Sequence, residues 1–279
     1  MAQTYFIRTY GCQANIADSS TIAGVLESLD FERFPEPEGK NEDEKLLKVI
    51  QNCDLLIINT CSVRQKSEDK VYGIGKLLVP QVILSRNEES SSAKRSAFII
   101  MAGCMVGSVT GERQRYEFEE LKKRTPWVND YINPSQIMNI PNILLKNNKL
   151  SKWAVGKFNP NSVENIHNDN THALAHQGAS SAYINISYGC DNFCTFCVVP
   201  YARGAEVSRS QEEIISEIIH LIKRGFTQFT LCGQNVNSWG LTATEKFEIR
   251  TGSDQKLPFA NLLRKVHEVE GVNKINLTN

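Results

Sequence analysis

Asp54-Leu-Leu-Ile-Ile-Asn-Thr-Cys61 carries an unbroken apolar run that ends in two polar residues and a cysteine. Consecutive apolar side chains are typical of a short strand buried on both faces of a parallel sheet. Comparable strand patterns occur at residues 4–10, 97–102 and 127–132. Helical patterns separate these strands, at residues 16–30, 63–78 and 112–124. The alternation predicts a doubly wound α/β domain over residues 1–150, with helices on both faces of a parallel sheet.

Two local features of this first domain give further expectations. Asp18, Ser19 or Ser20 is the expected N-cap of the first helix, because short polar side chains satisfy free N–H groups at a helix start. The polar, serine-rich segment 87–96 is expected to be a surface insertion between a helix and a strand.

A cysteine follows each of three strands in the first domain: Cys12, Cys61 and Cys104. Ligands of open parallel sheets bind at the carboxyl ends of the strands, so we expect the three thiols to converge. Three unrelated turn cysteines are the alternative, and a glycine before Cys12 and Cys104 fits tight turns. A structural zinc site is less favoured, because it needs four protein ligands.

A second α/β region begins at Ser181. Strands are predicted at residues 183–187, 228–232 and 272–277, and helices after the capping-box pattern Ser210-Gln-Glu-Glu213 and at 259–269. The domain boundaries predicted from these patterns are 1–150, a linker over 151–180, and 181–279. The linker holds His167, His172 and His176, whose spacing fits a polar connector better than a metal site.

Cys190-Asp-Asn-Phe-Cys194-Thr-Phe-Cys197 places three thiols within one short loop. Electron-carrying iron–sulfur cubes are normally held by four cysteines, so three thiolates leave one iron open to a substrate. A zinc site that recruits Cys232 or a linker histidine is the alternative. Phe196 can pack on a bound adenine or shield the metal from water. Arg203 can hold a carboxylate or form a surface ion pair with Glu206.

Composition narrows the class of protein. The chain has 279 residues, with 31 Lys and Arg against 31 Asp and Glu, so its formal net charge gives no general attraction to nucleic acid or membranes. It has no long apolar segment and no secretory signal, and we expect a cytoplasmic protein. A reducing compartment favours metal or catalytic use of cysteine over disulfides, and Cys53 and Cys232 are expected to be buried small side chains.

Five strings resemble the radical S-adenosylmethionine (SAM) methylthiotransferase family, in the order of that family: Thr9-Tyr-Gly-Cys-Gln-Ala-Asn15, Asn59-Thr-Cys-Ser-Val-Arg64, Ala102-Gly-Cys-Met105, Tyr188-Gly-Cys-Asp-Asn-Phe-Cys-Thr-Phe-Cys-Val-Val-Pro-Tyr-Ala-Arg-Gly204 and Leu231-Cys-Gly-Gln-Asn-Val-Asn237. They look most like the branch that acts on N6-isopentenyladenosine next to the anticodon of tRNA. The branches that modify threonylcarbamoyl-adenosine or ribosomal protein S12 are the alternatives.

The resemblance implies two [4Fe-4S] clusters, one on Cys190, Cys194 and Cys197 and an auxiliary one on Cys12, Cys61 and Cys104. It implies SAM as cofactor, with Phe196, Arg203 and Gln234 as candidate contacts. It further implies hydrogen abstraction from C2 of the adenine, sulfur insertion and methyl transfer. The expected partners are tRNA, an electron donor and a sulfur source, with no membrane, and the chain is expected to be a monomer.

The resemblance also implies a longer catalytic region, because in this family a partial (β/α) barrel is followed by a small RNA-binding domain. Only three strands are predicted after Ser181, so the radical-SAM barrel is expected to be incomplete and the chain to be a C-terminally truncated fragment. An inactive, cluster-binding fragment is therefore a further alternative to an enzyme.

Overall fold

A computed structural model describes residues 3–63, 65–87, 96–151, 155–156, 158, 181–250 and 257–278. The predicted insertion at 87–96 and the linker with its three histidines lie almost wholly outside these residues. Among the residues described, no helix is long and apolar enough to cross a bilayer.

Five parallel strands form the first sheet, in the order β2-β1-β3-β4-β5. The strands are β1 (Thr4–Tyr10), β2 (Glu32–Arg33), β3 (Leu55–Thr60), β4 (Phe98–Gly103) and β5 (Asp130–Ile132). The helices between and after them are α1 (Gln13–Glu27), α2 (Glu42–Asn52), α3 (Gln65–Asn87), α4 (Cys104–Thr110), α5 (Phe118–Arg124) and α6 (Ile140–Lys146), with a 3-10 helix at Pro134–Asn139. This confirms the α/β class and the parallel sheet.

Both faces of this sheet are covered, as the unbroken apolar runs predict. On one face Leu56 and Ile58 of β3 pack with residues of α2 and α3. On the other face Leu55 and Ile57 pack with residues of α1 and α6. Successive side chains of a strand point to opposite faces, so a run that is apolar throughout requires helices on both sides.

The first helix begins earlier than predicted. Cys12 occupies the N-cap position of α1, and Asp18, Ser19 and Ser20 lie buried inside the helix. The predicted cap was therefore wrong: the Asp18 and Ser19 side chains have tertiary partners, and the Ser20 hydroxyl donates to the Ile16 carbonyl of its own helix. Ser19, for example, lies 2.7 Å from the Thr9 hydroxyl.

Other differences concern helices. Of the helix predicted at 112–124 only Phe118–Arg124 is helical, as α5, and the sequence patterns omitted α2, α4 and α6. The helix α2 is mainly polar but has a clear start, because the Asn41 side chain accepts a hydrogen bond of 2.8 Å from the Glu44 N–H. Its amphipathic face contributes Leu46, Val49 and Ile50 to the core.

The second region contains a three-stranded parallel sheet in the order β10-β9-β6, and a short antiparallel pair formed by β7 and β8. Its strands are β6 (Ser181–Asn185), β7 (Ser187–Tyr188), β8 (Val207–Ser208), β9 (Gln228–Cys232) and β10 (Lys274–Thr278). Its helices are α7 (Val199–Arg203), α8 (Gln211–Lys223), α9 (Ala243–Arg250) and α10 (Pro258–His267). The predicted capping box of Ser210 and Glu213 is present.

The two regions meet where α4 packs against α7. A Cβ atom added to Gly107 would lie 1.9 Å from the carbonyl oxygen of Ala202, and one added to Gly111 would lie 2.9 Å from that of Tyr201. Because Gly107 has no side chain, the α4 backbone can approach the α7 backbone closely. The short helix α7 begins directly after the Cys190–Cys197 loop, so this contact fixes that loop against the first sheet.

We therefore expect Gly107→Ala to lower the free energy of unfolding by about 1–3 kcal/mol, because the added methyl group forces α4 and α7 apart. Urea unfolding measures the change. Gly73→Ala in α3 is the matched control, since a Cβ there meets nothing within 4 Å. Removing a helical glycine at an open position should stabilise by about 0.4–1 kcal/mol. Equal effects of the two substitutions would contradict the close approach.

Candidate functional site

The cysteines of the first domain lie at the carboxyl edge of its sheet. Cys12 follows β1, Cys61 follows β3, and Cys104 begins α4 directly after β4. These three strands are neighbours, and the chain changes direction across the sheet between β1 and β3. Ligand sites of doubly wound sheets lie at such a switch point. The Cys61 N–H donates to the Tyr10 carbonyl at 3.0 Å, which ties the two cysteine turns together.

The three thiols of this auxiliary trio interact with one another. Cys61 shares hydrogen bonds with both Cys104 and Cys12, and these raise the pKa of Cys61. The same hydrogen bonds are the main cause that lowers the pKa of Cys12 and of Cys104. Two of the three thiols, Cys12 and Cys104, are therefore shifted toward the thiolate, the form in which cysteine binds metal.

Two buried asparagines organise the turns that carry the auxiliary trio. The Asn15 amide donates to the Asn59 side chain at 3.1 Å and to the Thr60 carbonyl at 3.0 Å. The Asn59 amide in turn donates to the Asn15 carbonyl and to the Ser19 hydroxyl, both at 2.8 Å. The Cys12 thiol lies 3.4 Å from the Asn15 side-chain oxygen.

The turn before Cys104 requires glycine, in agreement with the sequence. Gly103 has a φ of +94°, and a Cβ atom there would lie 2.3 Å from the Thr60 carbonyl oxygen. Both the left-handed backbone and the close approach exclude a larger residue.

Arg203 of α7 reaches across the domain interface to the auxiliary trio. Its guanidinium donates to the Asp18 carboxylate at 2.7 Å, and the two side chains are only 4% and 3% exposed. The positive charge of Arg203 also acts on Cys104 and Cys12 and helps to lower the pKa of both. The carboxylate that Arg203 holds is thus that of Asp18. The alternative of a surface ion pair with Glu206 was wrong, because Arg203 is buried.

The loop of the second trio follows β7. The Cys190 thiol is buried, Cys194 is exposed and Cys197 is partly buried. The Cys197 N–H donates to the Cys194 carbonyl at 2.9 Å, and the Cys190 N–H donates to Gly204 at 3.1 Å. Burial raises the pKa of Cys190, and the nearby Cys197 and Cys194 raise it further. The three thiols therefore lie close enough to influence one another.

A buried carboxylate braces this loop. Glu206 accepts hydrogen bonds from the Ser238 hydroxyl and from the Lys246 ammonium group, the latter at 3.0 Å. The Glu206 N–H donates to the Asp191 side chain at 3.0 Å, inside the cysteine motif. Sequence reasoning missed this role of Glu206, and it missed Lys246 altogether, because α9 was not predicted.

The remaining candidates lie at different places. Phe196 projects from the loop and is 92% exposed, whereas Gln234 is partly buried in the turn after β9. Cys232 is buried, and its pKa is raised to about 12 by burial and by the neighbouring Cys12. It thus lies near the auxiliary trio and does not join the Cys190 loop. Cys53 is buried, as expected, with its thiol 3.2 Å from the Leu55 carbonyl oxygen.

The two thiol trios can be compared with the donor sets of a single metal ion and of a cluster. Within the part of the chain that the structure describes, no group of three His, Cys, Asp or Glu side chains is arranged around one metal ion. A zinc site would need four ligands on one ion. An iron–sulfur cube binds each thiolate through a different iron, so its ligands stand farther apart. Three thiols in each group is a donor set that fits an iron–sulfur cluster with one open iron.

A cleft of about 820 Å³ opens beside the interface, between the end of α4 and the second region. Its lining is mixed, with Tyr188 and Phe193 alongside Asn133, Gln136 and Arg113. The Arg113 guanidinium stacks over the Phe193 ring at 4.4 Å. Aromatic and guanidinium planes of this kind can stack on unpaired bases.

Two family models match the chain in succession. The model described as uncharacterized protein family UPF0004 matches residues 4–129, which carry the auxiliary trio. The radical SAM superfamily model matches residues 184–270, which carry the Cys190 loop.

Curated proteins named tRNA-2-methylthio-N(6)-dimethylallyladenosine synthase are similar to nearly the whole chain. The protein from Clostridium botulinum (strain Langeland) is 33% identical, with 97% of this chain and 51% of that protein covered. The protein from Desulfotalea psychrophila is 33% identical, with 99% and 54% covered. That from Moorella thermoacetica is 33% identical, with 98% and 52% covered. The chain therefore spans about half the length of the curated relatives it matches.

Solved structures give the same fold. The radical S-adenosylmethionine methyltransferase TsrM from Kitasatospora setae, with cobalamin and a [4Fe-4S] cluster bound, has a TM-score of 0.55 at 11% identity. The match covers 100% of this chain and 61% of that chain. At this identity the likeness establishes the fold alone.

Asn59→Ala tests the support of the auxiliary trio. We expect the free energy of unfolding to fall by about 2–3 kcal/mol, because the buried Asn15 and Ser19 lose partners. The iron that the sequence predicts on this trio should also be lost more readily to a chelator, since such supporting contacts orient metal ligands. Urea unfolding and timed iron release measure the two effects.

The matched control is Asn52→Ala, at an exposed position of α2 where the amide bonds only its own helix, at the Lys48 carbonyl. Its effect on unfolding should stay within about 0.5 kcal/mol. Similar losses in the two variants would contradict a special role of Asn59.

Proposed function

We propose that the chain belongs to the radical SAM methylthiotransferase family and that it carries out the 2-methylthiolation of N6-isopentenyladenosine next to the anticodon of tRNA. The observation that carries this proposal is the presence of two separate thiol trios in two regions that pack directly together. Arg203, which lies beside the auxiliary trio, is only six residues from Cys197. Six residues span at most about 20 Å, so the two trios are close.

In this proposal Cys190, Cys194 and Cys197 hold the cluster that binds SAM, and Cys12, Cys61 and Cys104 hold the auxiliary cluster. When bound, the clusters supply the electron for reductive cleavage of SAM and the sulfur for insertion. The protein itself positions the two clusters. Glu206 and Lys246 stabilise the SAM-binding loop, and the buried Asn15 and Asn59 orient the turns of the auxiliary trio.

We further propose that Phe196 and Gln234 contact SAM. The exposed ring of Phe196 stands between two cluster ligands, where it can pack on the adenine. Gln234 follows β9, at the carboxyl edge of the second sheet. Equilibrium binding of SAM to the reconstituted Phe196→Ala and Gln234→Ala proteins tests these contacts, and unchanged affinity in both would refute them. Arg203, the third candidate, is already paired with Asp18.

Anaerobic reconstitution tests the two clusters directly. We expect about eight irons in the unmodified chain and about four in each of Cys61→Ala and Cys190→Ala, since each cluster holds four. Only Cys190→Ala should abolish SAM cleavage to 5′-deoxyadenosine. Cys53→Ala is the control and should keep both clusters, because Cys53 lies in neither trio. Zinc without iron, or loss of all iron from one substitution, would refute the proposal.

The same samples are then incubated with tRNA that carries N6-isopentenyladenosine. Formation of the 2-methylthio base, measured by nucleoside mass spectrometry, supports the proposed reaction for the chain as it stands. Product on threonylcarbamoyl-adenosine tRNA alone would assign the chain to another branch of the family.

Arg113 offers a test of tRNA binding that does not depend on the clusters. We expect Arg113→Ala to weaken binding and to reduce the salt dependence of the affinity by about one charge, because the side chain stands at the cleft and can neutralise a phosphate or stack on a base. Fluorescence anisotropy over a range of salt concentrations measures both. Lys122→Ala removes an exposed charge that does not line the cleft and should change little. Equal losses in the two variants would contradict a specific role for the cleft.

A further inference from the structure

Arg203 is held in place by the other domain. Its partner Asp18 lies within α1 and receives, besides the guanidinium, a hydrogen bond of 3.3 Å from the Asn185 amide of β6. One carboxylate of the first region is thus fixed by two side chains of the second. All three residues are buried, so the arrangement is built into the interface and is not a surface ion pair.

We propose that Arg203 is a positioning residue of the auxiliary site: it brings a positive charge from the second region to Cys12 and Cys104 and so completes, across the interface, a site whose ligands all come from the first. This inference rests on the proposed function, because it assumes a cluster on the auxiliary trio. The inference goes beyond the proposed function because it assigns to the second region the positive charge that compensates the thiolates of the auxiliary cluster.

A positive charge next to the auxiliary trio is expected from the chemistry of its three thiolates. Three thiolates bring three negative charges to a place where Cys61 and Cys104 are buried. A buried charge is costly unless an opposite charge or hydrogen bonds compensate it. The backbone N–H groups of Ala14 and Asn15 at the start of α1 offer hydrogen bonds to Cys12, whereas Arg203 offers a full charge.

The ion pair with Asp18 leaves Arg203 with N–H groups and a positive charge that can act on the sulfurs. A guanidinium has five N–H donors, and one terminal nitrogen is used for Asp18. Arg203 follows Ala202, whose carbonyl oxygen meets Gly107 one turn after Cys104 in α4. The charge of Arg203 acts on the Cys104 thiol more strongly than the opposite charge of Asp18 does. Asp18 therefore holds the guanidinium in position without cancelling its effect on the sulfurs.

The reduction potential of the auxiliary cluster is the measurement that separates this role from simple packing. In a parent chain with Cys190→Ala, Cys194→Ala and Cys197→Ala, only the auxiliary cluster remains, with about four irons. Its midpoint potential can then be read from an anaerobic redox titration followed by electron paramagnetic resonance. Net charge near a cluster and hydrogen bonds to its sulfurs set that potential.

Substitutions of the two partners should shift the potential in opposite directions. Arg203→Met removes the positive charge and should lower the midpoint potential, since the reduced cluster loses its compensation. Asp18→Asn removes the negative charge, keeps the shape and should raise it. Arg203→Lys should stay nearer the parent than Arg203→Met. If the ion pair only stabilised the interface, Arg203→Met and Asp18→Asn would change the midpoint potential in the same direction or not at all. Either result would overturn the inference.

Arg209→Met is the matched control in the same parent. Arg209 is another largely buried arginine of the second region, paired with Glu217 at 2.7 Å, and the largest electrostatic influences on it come from Glu217, Tyr188 and Glu213. Its loss should leave the potential unchanged. If Arg203→Met does not retain iron, the comparison of Asp18→Asn with Arg209→Met decides the question. The inference then requires Asp18→Asn to raise the midpoint potential and Arg209→Met to leave it unchanged. A parent that binds no iron refutes the auxiliary cluster itself, whereas iron without opposite shifts refutes only the role of Arg203.

Discussion

The parallel order of β1, β3 and β4 is the constraint on which the whole arrangement depends. Parallel neighbours end at one edge of a sheet, so residues far apart in sequence reach the same point without any local motif. Cys12, Cys61 and Cys104 meet for this reason. A single antiparallel strand among the three would carry its cysteine to the opposite edge.

The second constraint is the closeness of the two regions. The Cys190 loop is stabilised largely by its own surroundings, through Asp191, Glu206 and the β7–β8 pair. Its position relative to the first sheet depends instead on α7, whose backbone meets Gly107 of α4. The same five-residue helix ends at Arg203, so one short element both docks the loop and carries the charge toward the auxiliary trio.

The sequence predicted the strands well and the polar interface poorly, for a physical reason. Buried parallel strands have a local signature, and the predicted run 228–232 matches β9 in both bounds. The six candidate ligands followed from their positions after strands and from one compact motif. Asp18 had no such signal: it resembles a helix cap locally, and its partner Arg203 lies 185 residues away. Lys246 was missed for a similar reason, because α9 is a polar helix with little apolar periodicity. Contacts between regions leave no pattern in either region alone.

The buried pair of Asp18 and Arg203 is hard to explain as a source of stability. Removing two charges from water costs several kcal/mol per ion, and apolar replacements of buried pairs are often neutral or stabilising. The helix contact at Gly107 already brings the two regions together through a close approach of two backbones, without any charged side chain. A guanidinium next to Cys104 is favourable when the sulfurs themselves carry negative charge, as they do when they bind a metal cluster. The pair is then costly in an interface designed only for packing, but favourable in one that must hold a negatively charged cluster against the SAM domain.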